Sequence, residues 1–351
     1  MANRTFFIKP SRPITGEKKL DPILVAGNKF QGIETTLTLD TNILIGMEKV
    51  VKNGNKWYSV KLQGLHNLVS LLQRCPPQSI CISPGLAFKE MPPQLANQSK
   101  EYYELFCQAH LPGFVDVPGS TRTISKVEKE AYGFKDLSFE GQALMAVSFA
   151  SIIYLNLIDR VLGAKPIEKF KMFLDLLERE VTILSAAEIE VAKYCFAEPP
   201  ATSRQLIDIR KRIRKNFLKT SDEKIPKNSA EILSVAFNGA NDLSLVQSAN
   251  IIDEYGFDGV RQDSWIATKD KKLVDFCDIF HHVNIDGEAG KYAASSVFSE
   301  HSDDMYWLQA ESHYGTRNLM RKKDLEFREI EMAELVDVAN RAISAVNSAV
   351  F

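Results

Sequence analysis

The chain is short of the features that identify many functional classes at sight. Its five cysteines, Cys75, Cys81, Cys107, Cys195 and Cys277, form an odd set with no Cys-x-x-Cys pair. That argues against a disulfide framework and a zinc ribbon, and a reducing cytoplasm is the compartment that fits. No Gly-x-Gly-x-x-Gly loop is present, which weighs against a flavodoxin-like or Rossmann-like metabolic enzyme of the same fold class. The segment from Met1 to Pro10 has no continuous apolar core of a signal peptide. The longest uncharged apolar stretch, Ala143 to Ile158, is about sixteen residues, short of the roughly twenty needed to span a bilayer, and is expected as a buried helix. No membrane partner is therefore expected. Repeats and low-complexity tracts are absent, and His281-His282 lies in an expected strand whose alternation sends the two rings to opposite faces, against a zinc site. Net charge is only -2, so any nucleic-acid partner must be held by a local patch rather than a global basic field.

What is present is the composition of a packed globular protein, with 45% hydrophobic and 25% charged residues in 351. At that length the chain is one enlarged domain or two. Short apolar runs that end in acids stand out. Leu37-Thr38-Leu39 is followed by Asp40-Thr41-Asn42, and Trp265-Ile266-Ala267-Thr268 by Lys269-Asp270. Parallel strands buried on both faces read this way, and α/β folds gather ligands beyond the carboxyl ends of such strands. Glu90 follows Ser79-Ile80-Cys81-Ile82-Ser83 in a helix opened by Pro84, and Asn241-Asp242 opens another.

The hydrophobic pattern predicts helices over 43–50, 62–74, 102–109, 141–158, 167–179 and 186–196. Ser229 to Phe237 and Asp242 to Tyr255 read as two helices parted by Asn238-Gly239-Ala240, with Asn241 capping the second. Val181-Thr182-Ile183-Leu184 reads as a third strand, Ser264 to Thr268 as a fourth and Ile279 to Ile285 as a fifth. Asp324 to Val350 reads as a long terminal helix whose positions Ile330, Leu335, Val338, Ala342 and Val346 would seal the fold or a dimer interface. Residues 1–34, with Pro10, Pro13 and Pro22, read as an irregular arm.

Several carboxylates in one pocket repel each other and raise each other's pKa unless a cation neutralises them. Magnesium or manganese suits such oxygen donors and bridges to substrate phosphates. In order and setting, Asp40-Thr41-Asn42, Glu90, Asn241-Asp242 and Thr268-Lys269-Asp270 resemble the motifs of the PIN-domain nucleases. The resemblance implies a three-layer α/β/α sandwich around a mainly parallel sheet, enlarged by a helical insertion and a C-terminal helix. The PIN-like domain would comprise 35–92 and 181–290, the insertion 93–180 and the C-terminal extension 291–351. It further implies Mg2+- or Mn2+-dependent hydrolysis of phosphodiester bonds, RNA before DNA, with Asp40, Glu90, Asp242 and Asp270 as catalytic metal ligands. Asn42 and Thr268 would support them by hydrogen bonds, Asp263 is an extra acid, and Glu140 competes with Glu90 for the second position. Members of the family serve as toxins and defence effectors, which implies a regulatory protein partner.

Each acid also has an ordinary reading. Asp40 caps a helix, Asp242 favours a helix dipole, and Asp270 sits in a turn before two lysines. Residues 204–227 carry nine Lys or Arg against three acids. Arg210, Lys211, Arg212, Arg214 and Lys215 are thus a candidate phosphate-binding surface, or a solvated helix face. The competing functional class is a PIN-like scaffold without catalysis, used for nucleic-acid binding or complex assembly.

Overall fold

The computed structural model describes residues 4–13, 19–114, 132–198, 203–219, 225–285, 288–295, 304–325 and 330–349. It is mixed α/β, mostly helical, with two small sheets. The chain divides into one unit of Met1–Tyr132, Leu245–Cys277 and His281–Ala294, and another of Gly133–Ser244, Asp278–Phe280 and Ser295–Phe351.

The first unit begins with β1 (Phe6–Ile8), β2 (Ser11–Pro13), α1 (Pro22–Phe30), β3 (Ile33–Leu39) and α2 (Thr41–Lys52). There follow α3 (Trp57–Leu62), α4 (His66–Arg74), β4 (Ile80–Ser83), α5 (Gly85–Lys89) and α6 (Pro93–His110). The second unit holds α7 (Phe139–Asp159), α8 (Pro166–Leu176), α9 (Ala186–Phe196), α10 (Arg204–Phe217) and the first part of α11 (Ser229–Tyr255). Next come β5 (Arg261–Thr268), α12 (Lys271–Ile279), β6 (Phe280–Ile285) and β7 (Glu288–Ser295), then helices Met305–Leu325 and Met332–Ser348.

Strand β3 is central because both its faces are apolar or small: Thr35, Leu37, Thr38 and Leu39 are all essentially inaccessible. It pairs in parallel with β5, from Ile33 opposite Arg261 to Leu39 opposite Ala267, and with β4, from Thr35 opposite Ile80 to Thr38 opposite Ser83. β1 closes the β5 side antiparallel, giving the order β1-β5-β3-β4. Three parallel strands thus end at one edge, and Asp40 leaves that edge directly.

Within the arm expected to be irregular, the described residues form regular elements. Phe6–Ile8 is an edge strand, Ser11–Pro13 pairs in parallel with β6 in a second sheet of order β2-β6-β7, and Pro22–Phe30 is a helix capped by the Asp21 carboxylate. The expected fifth strand exists as β6 but belongs to that second sheet rather than to the one bearing Asp40.

The expected third strand does not form. Leu177–Val181 continues from α8 as a wide helical turn with Val181 fully buried, Thr182 takes a left-handed φ of 62°, and no regular structure follows until α9. Packing among helices overrides the β-propensity of Val-Thr-Ile. The predicted helix over 62–74 is two, α3 and α4, with Gly64 at φ 73° between them.

The two helices expected around Asn238-Gly239-Ala240 are one. A Cβ on Gly239 would stand 2.9 Å from both Ile152 Cδ1 and Phe217 Cδ1, so this glycine serves close helix packing and not a break. Asn241 consequently caps nothing, and Asp242 is mid-helix.

The long terminal helix is broken instead. Glu331 is extended and caps Met332–Ser348, which leaves Ile330 outside; Val338, Ala342 and Val346 are buried and the helix packs on α7. That apolar stripe seals its own unit. α7 runs for 21 residues and is long and apolar enough to cross a membrane by length and composition, yet most of it is buried inside the protein. Val350 lies outside the described residues.

Candidate active site

At the carboxyl edge of the first unit's sheet, the chain leaves β3 and turns at once into α2. Asp40 N–H donates to Ala267 O at 3.0 Å, which ties the ends of β3 and β5 together. Asp40 caps α2, with Oδ1 accepting from Asn42 N–H at 3.2 Å. The ordinary capping role is therefore real, and it fixes the carboxylate for anything further.

Its other oxygen, Oδ2, accepts from the Thr268 hydroxyl and from the Asn42 side-chain amide. Thr268 Oγ1 in turn accepts from Asn42 Nδ2 at 3.1 Å and from Asp270 N–H at 2.9 Å. A hydroxyl has one proton and two lone pairs. With both lone pairs taken by N–H groups, the Thr268 proton is directed to Asp40, which must act as an acceptor. Asn42 Oδ1 accepts from Lys269 N–H at 2.8 Å and so pins the turn that carries Asp270.

Burial pushes the Asp40 carboxyl above its ordinary range, and the nearby Asp270 charge adds to that; the bonds from Thr268 and Asn42 pull it back. Asp270 accepts from Lys272 N–H at 2.7 Å and pairs with Lys272 Nζ at 3.4 Å. The sequence-predicted Asp40, Asn42, Thr268 and Asp270 are thus one bonded constellation at two adjacent strand ends.

Glu90 joins it at one remove. It stands at the carboxyl end of the five-residue α5. The Thr41 hydroxyl, next to Asp40 in sequence, bonds Glu90 Oε2 and also lies 3.4 Å from Ala87 O. Its competitor Glu140 is exposed in the first turn of α7, in the second unit.

Asp242 also belongs to the second unit, where Asn216 Nδ2 donates to its Oδ2 at 2.7 Å. Asp263 is a structural group. It lies five residues before the end of β5, roughly 16 Å back along the strand at about 3.3 Å per residue. There it pairs with Lys9 Nζ at 3.0 Å and accepts from Asn28 Nδ2 at 2.8 Å and Trp265 Nε1 at 2.9 Å. Lys9 also bonds Asp253 at 2.5 Å, so these charges form a buried, mutually satisfied network.

The basic run divides by helical geometry. Arg214 reaches inward, its guanidinium bonding both Asp159 oxygens at 2.8 and 2.9 Å, and burial lowers the pKa of Arg210 one turn earlier. Lys211 and Lys215, again four apart, stay exposed, with Arg212 half-buried beside them. The five-residue surface expected from the sequence is reduced to its outward members.

Sequence reasoning passed over Lys269. Its ammonium lies where a Cβ on Gly46 of α2 would be, 2.7 Å from that position. Burial, and secondarily Lys49, lower its pKa to about 8, against the opposing pull of Asp40. The signal was a lysine between Thr268 and Asp270, with a glycine inside the helix that Asp40 caps.

Among the described residues no three His, Cys, Asp or Glu side chains gather as a metal-binding group. Magnesium and manganese, however, usually take one or two carboxylates and complete their shells with water and substrate phosphate. Two hard carboxylates at adjacent strand ends, the Asp270 charge acting on Asp40 as a like charge, fit that demand. No family model, no curated protein and no solved structure matches this chain.

Proposed function

We propose that this chain is a metal-dependent nuclease that hydrolyses phosphodiester bonds, in RNA before DNA, with its centre at Asp40 and Asp270. The observation that carries the reading is the constellation of Asp40, Asn42, Thr268 and Asp270 beyond two adjacent parallel strands. Glu90, held by Thr41 next to Asp40, would supply a further carboxylate. In the same reading the parallel strands β4, β3 and β5 are the centre of a PIN-like three-layer α/β/α sandwich.

Asp40 and Asp270 would hold the magnesium or manganese ion. When bound, such an ion activates water and stabilises the leaving oxygen of a phosphodiester. The chain's own part is positional. Thr268 and Asn42 hold Asp40 aimed, and Asn42 holds the Lys269 amide so that Asp270 returns toward the same edge. Preorganised groups of this kind need no rearrangement as charge develops.

The test is cleavage of labelled single-stranded RNA, structured RNA and DNA by the full chain and by Asp40→Asn, with manganese, magnesium or chelator. Metal-dependent cutting that the variant loses supports the reading. Absence of cutting by the wild type with every substrate and metal, with folding intact, removes it. A scaffold without catalysis is then favoured, and the lack of a three-acid group among the described residues is the observation on its side.

A further inference from the structure

We infer that Lys269 and Lys49 together bind a backbone phosphate of the nucleic-acid substrate, beside the Asp40 carboxylate. The inference rests on the nuclease reading and names the substrate contact that it lacks.

Three of the buried or half-buried lysines among the described residues are closed on acids. Lys9 pairs with Asp253 and Asp263, Lys193 with Glu190 and Glu311, and Lys272 with Asp270. Lys269 differs: among the described residues its ammonium has neither an ion pair nor a hydrogen bond. Its backbone, by contrast, is fixed by Asn42. The side chain extends into a notch that exists only because residue 46 lacks a Cβ. Leu65 methyls, 3.4 and 3.5 Å from the position of the missing atom, form the notch's wall.

Lys49 lies three residues beyond Gly46, on the same face of α2. It is exposed, one turn along α2 from the glycine that the Lys269 ammonium abuts. Two like charges held near each other, one of them half-buried, are costly in the empty protein. An anion between them removes that cost, and Asp40, engaged by Thr268 and Asn42, is already committed elsewhere. A phosphate offers oxygens enough for both ammonium groups. Bound there, it would lie alongside the carboxylate edge where the reading places hydrolysis.

The experiment is binding of a short fluorescent single-stranded RNA to the full chain, followed by anisotropy in chelator across a salt series. Wild type is compared with Lys269→Gln, Lys269→Arg, Lys49→Gln and Gly46→Ala. Each lost single-strand phosphate contact should flatten the slope of log affinity against log salt by about 0.7. Lys269→Gln and Gly46→Ala, which pushes the ammonium from its notch, should both weaken binding and flatten the slope, and Lys269→Arg should restore much of it. Lys49→Gln, on an exposed helix face, gives the same readout if Lys269 variants fold poorly. Unchanged slopes in all variants, or no binding by wild type, overturn the inference. Cleavage by wild type with manganese decides the nuclease reading separately: cutting with unchanged slopes removes only the phosphate contact, and altered slopes without cutting remove only the nuclease.

Discussion

At the scale of single residues, Thr268 is the hinge of the account. Its hydroxyl donates to Asp40 and accepts from Asn42 and Asp270, so three groups depend on one oxygen. Thr268→Val keeps the shape and leaves those groups short of a partner in a buried setting. The expected loss is roughly 1–3 kcal/mol of unfolding free energy, read by denaturant titration, together with loss of metal-dependent cleavage. A variant as stable as wild type would show that the hydroxyl is not essential to the network. This part of the site was legible in the sequence, because an acid that closes a buried strand and caps the next helix can point in few directions. Asp263 was not, since proximity to Asp270 in sequence becomes distance along an extended strand. Lys269 was overlooked because its meaning depends on Gly46, more than two hundred residues away in the chain.

At the scale of elements, two helix-interior glycines, Gly46 and Gly239, show how one residue type carries different information. Helix propensity alone would favour alanine at either position by about 1 kcal/mol. At Gly46 the obstructing atom is the far end of a flexible lysine, which can move. At Gly239 it is the packed Ile152 and Phe217 side chains, both well inside the second unit. Gly239→Ala should therefore destabilise by about 1–3 kcal/mol, the range for overpacking, in thermal or denaturant unfolding. A stabilised variant would instead show an uncrowded helical position, where alanine's propensity prevails. The same lesson applies to Val181-Thr182-Ile183-Leu184. Local composition favoured a strand there, and burial of Val181 among helices decided otherwise. α2 and β5 were legible because local pattern and tertiary setting agree in them.

At the scale of the whole molecule, the mixed α/β character was legible in the sequence, and the compact units group the elements differently from the expected boundaries. The boundaries expected at 93 and 181 would put α6 with the helical insertion and Asp242 with the nuclease-like domain; in the protein α6 belongs to the first unit and Asp242 to the second. Charge was read too simply as well. Five basic residues in a run look like one surface, and the helix period sends Arg214 to Asp159 while leaving Lys211 and Lys215 exposed. The account rests finally on the claim that the edge formed by Asp40 and Asp270 is a divalent-cation site. The direct measurement is calorimetric titration of manganese into metal-free full-length protein, beside Asp40→Asn and Asp270→Asn. The account predicts saturable binding by wild type that either substitution weakens at least about tenfold, a difference of roughly 1.4 kcal/mol. No binding by wild type, or equal binding by all three proteins, would contradict it.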